Sequence, residues 1–154
     1  MFYSEIKERY REGKYVEALC LIEAAEKQGF IHPDLLLWKG RCLQLIDADS
    51  SHQLSDIENA FKDALKIDDT FAPAAVELAW FYLNVLNDAG RAAEVFEASI
   101  NSYKEALTEA VVGKAKCLME TESNDVARDY LVSFRCLDGH EVDKFLEEID
   151  AIDD

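Results

Sequence analysis

Three histidines are the first residues to consider for acid–base or metal chemistry, because imidazole titrates near neutral pH and binds metals as a neutral ligand. They are His32, His52 and His140. They lie far apart in expected loops or at helix starts, and the chain has no His-Glu-x-x-His spacing, which would place two imidazoles on one helix face. We therefore expect three solvent-exposed histidines and no metal site.

Four cysteines are the next candidates, because a thiolate can act as a nucleophile or a metal ligand. They are Cys20, Cys42, Cys117 and Cys136. None of them belongs to the close pair that a zinc site or a redox dithiol needs. We expect reduced, buried thiols that pack as small hydrophobic side chains, with a reactive Cys117 as the alternative.

Motifs for nucleotide or acyl-transfer chemistry are absent. The sequence contains no Gly-x-Gly-x-x-Gly, no Gly-Lys-Ser/Thr phosphate loop and no Gly-x-Ser-x-Gly nucleophile elbow. Carboxylate pairs such as Glu8 and Glu12 share a helix face, but in so acidic a chain such pairs arise by chance. We expect a protein that is not an enzyme and uses no cofactor, with a hydrolase that uses dispersed acidic residues as the alternative.

The formal net charge is −16, from 32 acidic and 16 basic residues. This charge repels phosphate backbones and anionic lipid headgroups, so nucleic acids and membranes are not expected partners. It would speed encounter with a basic protein partner, although a need for solubility would also account for it. The first residues contain no apolar run like that of a signal peptide, so a cytoplasmic protein is expected.

Apolar residues recur three and four positions apart along most of the chain, and no segment alternates with the period of a strand. With 49% hydrophobic residues, the composition is that of a folded protein. The sequence therefore predicts an all-α fold, in which the polar segment 47–53 is the longest surface loop. The expected helices are 2–12, 15–28, 34–46, 54–67, 72–87, 90–102, 104–119, 123–136 and 140–151.

Helix ends carry recognisable signals. Pro33 and Pro73 suit the first turn of a helix, where the missing N–H costs nothing. Gly29 follows the second helix as a left-handed stop, and Ser55-Asp56-Ile57-Glu58 predicts a capping box. Asp138-Gly139 predicts a turn before the last helix.

A unit of about 34 to 40 residues recurs along the chain: an apolar helix, a turn, and a second helix with small residues between large apolar ones. In the third copy the matching residues are Leu78, Ala79, Tyr82, Ala92, Phe96 and Ser99. The first copy contains Gly13-Lys14-Tyr15-Val16-Glu17-Ala18-Leu19, followed by Ile22 and Ala25. On these residues the chain resembles the tetratricopeptide repeat family.

The other two copies match in part. The second has Gly40, Leu43, Phe61, Ala64, Leu65, Ile67 and Asp68, and the fourth has Gly113, Ala115, Ala127 and Leu131. The resemblance implies repeats at 2–28, 34–67, 72–102 and 104–136 within a single domain, 1–154. It also implies that antiparallel helix hairpins stack as a short right-handed superhelix. A generic helical bundle is the alternative.

The spacing has a physical reason, because small residues let paired helices approach closely while large side chains fill the gaps. The small residues are Ala18, Gly40, Ala79, Ala92 and Gly113, and the large ones are Phe61, Tyr82 and Phe96. A stack of repeats leaves an open end, which helix 140–151 is expected to cap. Its apolar stripe is Val142, Phe145, Leu146 and Ile149, and its acidic residues are expected to face solvent or a basic partner.

The resemblance implies that the first helix of each pair lines a concave groove. Counting from the repeat positions places these residues there: Leu37, Arg41, Gln44, Val76, Trp80, Leu83, Asn84, Ala110, Lys114 and Cys117. Trp80 is the expected anchor for a partner, with burial between hairpins as the alternative. Arg41 and Lys114 would flank it and favour a helical or extended segment that carries an acidic group.

We therefore expect a protein-binding module that captures a protein partner through this groove and its acidic surface. One alternative is a bacterial immunity protein that masks the basic active site of a toxic nuclease. Another is a secretion chaperone that holds a client segment in the groove. The Lys and Asn set with which chaperone-binding family members hold a terminal carboxylate is not matched, because Val76 and Trp80 stand at corresponding positions.

Overall fold

The structure, a computed structural model, describes residues 2–46, 52–134 and 139–153. These residues form helices joined by turns and contain no strand, which confirms the predicted all-α class. The helices are α1 (Phe2–Arg11), α2 (Tyr15–Lys27), α3 (Pro33–Leu45), α4 (Leu54–Ile67), α5 (Ala72–Asn84), α6 (Ala89–Thr121), α7 (Asn124–Val132) and α8 (Gly139–Asp153). Among the described helices, none combines the length and apolar character needed to cross a membrane.

Several predicted helix ends are confirmed. Pro33 and Pro73 lie in the first turns of α3 and α5. The ring of His32 caps α3, because its Nδ1 accepts the backbone N–H of Asp34 at 3.2 Å. Gly29 stops α2 in the left-handed region, with φ 84°.

The start of α4 differs from the predicted capping box at Ser55. Gln53 is the N-cap residue, and its backbone N–H donates to the carboxylate of Asp56 at 2.7 Å. The Asp56 carboxylate accepts the free backbone N–H at the start of the helix, as the Glu58 carboxylate would in a capping box that begins at Ser55. The helix therefore begins before Ser55, which lies inside its first turn. Most of the predicted loop, residues 47–51, lies outside the described residues, and so does Asp138 of the predicted turn.

The third and fourth predicted repeats are not separated by a turn. The sequence predicted helices at 90–102 and 104–119, whereas α6 is continuous from Ala89 to Thr121. No proline or glycine interrupts the segment between Arg91 and Val112, and residues such as Lys104, Glu105 and Ala106 are good helix formers. Helix propensity therefore carries α6 through the expected boundary.

The chain folds into two compact units, Met1–Ser99 and Ile100–Asp154, with α6 contributing to both. The predicted single domain stays a prediction. In the first unit each of α1 to α4 packs against the next helix in sequence. Buried core residues in this unit include Ile6, Ile22, Leu35 and Phe61.

Small residues bring helices together at most of the predicted positions. Ala18, Ala79 and Ala92 are buried. Gly40 packs against the fully buried ring of Phe61, and a Cβ at Gly40 would lie within 3.0 Å of that ring. Gly113 is different, because it is exposed and a Cβ there would meet nothing within 4 Å.

The second unit has a core of its own, formed by the last part of α6 with α7 and α8. The predicted apolar stripe of the last helix is confirmed, since Val142, Phe145, Leu146 and Ile149 are all buried. They pack in one cluster with Val111, Ala115, Ala127 and Leu131. Arg128 of α7 also binds Asp150 of α8, with Nη2 2.6 Å from Oδ1.

The cysteines do not share one environment. Cys42 is buried as predicted, and burial raises the pKa of its thiol from 9.0 to about 11. Cys20 and Cys117 are exposed, which corrects the prediction for both of them. Both lie on helix faces that no neighbouring helix of their unit covers, a feature that the spacing of apolar residues did not reveal. Cys136 lies outside the described residues.

Candidate protein-binding surface

The first helices of the predicted hairpins lie side by side in the first unit. Helix α1 contacts α3, and α3 contacts α5, although each pair is separated in sequence by another helix. Side chains from these three helices therefore meet. They form a group of partly exposed aromatic and charged residues.

Trp38 of α3 is the centre of this group and is half-buried. The ring of Tyr10 from α1 approaches it edge-on, with centroids 5.0 Å apart and an interplanar angle of 74°. Two cations lie over the indole, with Lys7 Nζ 5.7 Å and Arg41 Cζ 5.0 Å from the ring centroid. Such cation–π contacts hold the charges beside the aromatic face.

Arg41 also joins α3 to α5. Its Nε donates to Oε1 of Glu77 at 2.7 Å, and about a quarter of each side chain is exposed, 28% and 25% respectively. The pair is partly shielded from water, so it orients both side chains more firmly than a fully exposed ion pair would. Glu77 compensates the charge of Arg41, whereas no carboxylate in the described residues lies within ion-pair distance of Lys7.

Trp80 lies one turn after Glu77 on α5, so the two side chains are neighbours on the helix surface. Its side chain is 49% exposed. The Phe96 ring from α6 supports it edge-on, with centroids 5.1 Å apart. The indole is thus partly exposed and supported on one side by Phe96. A side chain that is already held in place loses little conformational entropy when a partner binds it.

A polar network fixes α5 between α4 and α6 in the first unit. The hydroxyl of Tyr82 donates to Glu58 Oε1 at 3.0 Å, and the Arg91 guanidinium lies 4.5 Å from the Tyr82 ring centroid. Lys62 Nζ also binds Glu58 Oε1, at 2.6 Å, and this hydrogen bond is the largest cause of a lowered Glu58 pKa. The network holds the helix that carries Trp80.

We call this group the first-helix surface and define it as Lys7, Tyr10, Trp38, Arg41, Glu77 and Trp80. Burial raises the pKa of the Tyr10 phenol above its ordinary value. The surface offers aromatic faces, one cation that has no described carboxylate within ion-pair distance, and one compensated ion pair. It can bind a segment through ring contacts and charge, but it contains no nucleophile paired with a base.

The other predicted groove residues have different positions. Leu37 is only 4% exposed and packs in the core, so a partner cannot reach it. Gln44 and Asn84 are exposed, and Val76 and Leu83 are half-buried. They follow the helix spacing of Arg41 and Trp80, so they lie beside the first-helix surface on α3 and α5.

Lys114, Ala110 and Cys117 belong to the second unit. All three are exposed, and Lys114 Nζ lies 4.8 Å from the ring centroid of Tyr130. Lys114 therefore has an aromatic partner on α7 within the second unit, whereas Arg41 belongs to the first unit.

Sequence reasoning missed Trp38, Tyr10, Lys7 and Glu77. A signal for two of them existed, because Trp38 and Glu77 each stand two residues before the small residue of their repeat, Gly40 and Ala79. The contacts of Lys7 and Tyr10 with Trp38 had no such signal, because the two α1 residues do not occupy the same position in the repeat as Trp38.

The predicted histidine positions are confirmed in part. His32 and His140 are exposed, and His52 is half-buried. Among the described residues, no group of three or more His, Cys, Asp or Glu side chains is arranged to hold a metal ion. Comparisons with protein-family models, with curated proteins and with solved structures found no match.

Proposed function

We propose that this chain is a non-enzymatic protein-binding module that captures its partner on the first-helix surface. The observation that carries the proposal is Trp38, a half-buried indole with two cations over its ring, together with a half-exposed Trp80 on the adjacent first helix. Tryptophan is enriched at the centres of protein interfaces because it combines a large apolar face with a polar edge.

The partner in this proposal is a helical or extended segment with an acidic group and an apolar or aromatic side chain. Lys7 supports the acidic group, because its charge has no carboxylate neighbour in the described residues. Trp80 supports the apolar group, because about half of its surface is open to contact. A single acidic group on the partner is sufficient, because Glu77 already compensates the charge of Arg41.

The resemblance to the tetratricopeptide repeat family, with its right-handed superhelix, belongs to this proposal. The contacts of α1 with α3 and of α3 with α5 support it for the first unit, because stacked hairpins place successive first helices side by side. A groove along first helices is what the resemblance implies for partner binding.

The test is selection of a phage-displayed random peptide library on the immobilised full chain. We expect a consensus with an acidic residue and a large apolar residue. Trp80→Ala and Lys7→Glu should each weaken binding of a synthetic consensus peptide by about tenfold or more, the change that a lost interface anchor produces. Lys66→Glu on α4 is the control, because it makes the same charge change at a side chain that is 75% exposed and outside the surface.

Circular dichroism of each variant would establish that the fold is intact. Equal binding of the peptide to wild type, Trp80→Ala and Lys7→Glu would contradict the proposal. So would equal weakening by Lys66→Glu, because the effect would then follow net charge alone.

A second candidate is an immunity-type protein that neutralises a basic nuclease. A polar groove of about 300 Å³ between α2, α3 and α4 supports it, with the carboxylates of Glu23, Glu26, Asp56 and Asp63 on its walls. Lys39 lies there too, but it is paired with Glu26 at 2.8 Å. Co-expression with a nuclease encoded beside this chain should restore growth, and Asp56→Asn with Asp63→Asn should reduce the rescue. Failure to rescue would contradict this candidate.

A further inference from the structure

A row of exposed residues runs along α6 within the second unit. Its large members are Ile100, Tyr103 and Leu107, whose side chains are 46%, 50% and 44% exposed. The same face continues with Ala110, Lys114 and Cys117, all of them exposed. We call these six residues the α6 stripe. Their spacing alternates between three and four residues, which is the repeat that lets two helices pair along a seam.

The stripe is not the face that holds the second unit together. Thr108, Val111 and Ala115 of α6 are buried, and the last two pack with α7 and α8 in the core cluster. Beside the stripe, Ala106 and Gly113 are also exposed, and Gly113 has open space around it. The face thus contains no carboxylate, in a chain with 32 acidic residues, and it allows close approach of another helix.

The distribution of side-chain size along the stripe indicates its occupant. Large residues fill its first half, whereas its second half has two small residues, Ala110 and Cys117, on either side of Lys114. A second copy running antiparallel would therefore place Ile100 and Leu107 against small residues. Ile100 would face Cys117 of the second copy, and Leu107 would face Ala110 of the second copy. Tyr103 would face Lys114 of the second copy, a pair suited to a cation–π contact.

A two-fold pair makes each of these contacts twice, because residue i meets j and j meets i. The parallel arrangement is worse, since it stacks Lys114 on its own counterpart and leaves the small residues opposite one another. In its own chain Lys114 Nζ lies 4.8 Å from the ring centroid of Tyr130.

We propose that the α6 stripe is a self-association surface, on which two copies of this chain pair α6 antiparallel about a two-fold axis. The net charge of −16 on each copy opposes the pairing at long range, while the seam, which contains Lys114 but no carboxylate, favours it at contact. Added salt should therefore strengthen association, whereas it would weaken the binding of a basic partner. The proposal does not rest on the first-helix surface, which uses α1, α3 and α5.

Sedimentation velocity of the full chain over a micromolar concentration series tests the pairing. We expect a shift from monomer to dimer as concentration rises, and a larger dimer fraction at higher sodium chloride. Leu107→Glu should keep the chain monomeric over the series, because it places two carboxylates in the seam. Val132→Glu is the control, as it introduces one glutamate at a 49% exposed apolar residue of α7 in the same unit.

The register is tested by a cross-link. Ile100→Cys places a thiol opposite Cys117 of the second copy, so mild oxidation should give a covalent dimer on a non-reducing gel. The same variant combined with Cys117→Ser should give none. A wild type that stays monomeric at every concentration and salt, or equal effects of Leu107→Glu and Val132→Glu, would overturn the proposal. A cross-link that forms without Cys117 would overturn the register.

Discussion

Gly40 shows how a single missing side chain determines the contact between α3 and α4. The Phe61 ring occupies the space that a Cβ would need and is itself fully buried, so it cannot move aside into solvent. Gly113 lies in a helix as well, but it faces open space. Both glycines match the small position of the repeat, but only Gly40 is required by the packing of a neighbouring side chain.

Gly40→Ala should destabilise the chain although alanine is the better helix former. Overpacking costs about 1 to 3 kcal/mol, and the gain in helix propensity returns up to about 1 kcal/mol. Gly113→Ala should stabilise it by up to about 1 kcal/mol, because only the propensity term applies. Urea unfolding followed by circular dichroism measures both. Equal shifts in the same direction would contradict the assigned contact.

Cys42 gives the folded chain a dependence on alkaline pH. Burial raises the pKa of its thiol to about 11, so the folded state resists ionisation that the unfolded chain undergoes near pH 9. This contribution to stability is complete below pH 9 and is lost as the pH rises through 11. The loss amounts to about 2 to 3 kcal/mol for a shift of this size.

The measurement is the free energy of unfolding between pH 8 and pH 11. Cys42→Ala should flatten its dependence on pH, whatever the variant costs at pH 8 by leaving a cavity. Tyrosine ionisation is common to both proteins, apart from the part of the raised Tyr10 pKa that the Cys42 charge causes, so the difference between the two slopes reports Cys42 and its effect on Tyr10. The exposed Cys20 provides the control, because Cys20→Ala should keep the wild-type slope. The same slope in all three proteins would contradict the effect of burial.

Among the helices, α6 departs most from the sequence prediction. Its 33 residues replace two expected helices, and the expected boundary at Tyr103 falls inside it. A stop signal is missing there, since residues 100–112 include neither proline nor glycine. The repeat spacing indicated a turn, and local helix propensity prevailed over it.

Lys104→Pro distinguishes a continuous α6 from two helices. Inside a helix, proline removes a hydrogen bond and clashes with the carbonyl four residues earlier, at a cost of about 3 kcal/mol or more. At the first position of a separate helix it would be tolerated. We expect the large loss, measured by thermal unfolding. Glu97→Pro, which is internal in either case, supplies the reference value, and a much smaller loss for Lys104→Pro would contradict the continuous helix.

The buried hydrophobic residues of the chain form two separate core clusters. One is centred on residues such as Ile22 and Phe61, and the other includes Leu131 and Val142. They correspond to the two compact units. Local stability depends on the packing within a cooperative unit, so a core change in one unit should be felt mainly in that unit.

Hydrogen exchange of two variants, in which a buried side chain is replaced by alanine, tests whether each core cluster stabilises its own unit. Leu131→Ala should cost about 2 to 5 kcal/mol and speed exchange of the amides in α7 and α8, because the fully buried Leu131 leaves a cavity there. Ile22→Ala, which removes an equally buried side chain, should instead speed exchange in α2, α3 and α4. Acceleration of every protected amide by either variant would mean that the chain unfolds as one cooperative unit.

The sequence alone was sufficient for helices α1 to α5 and most of their ends. Apolar spacing is a property of one helix, so it predicted α1 to α5 within a few residues and the buried stripe of Val142, Phe145, Leu146 and Ile149. Pro33, Pro73 and Gly29 act through their own backbone preferences, which need no neighbour from another helix.

Contacts between helices required the three-dimensional structure. The approach of Lys7 and Tyr10 to Trp38, and of Arg41 to Glu77, depends on how far each helix is rotated and shifted against the next. Those angles follow from the packing of all side chains at once and leave no local trace in the sequence. For the same reason, the exposure of Trp80, Cys20 and Cys117 and the burial of Leu37 emerged only from the folded chain.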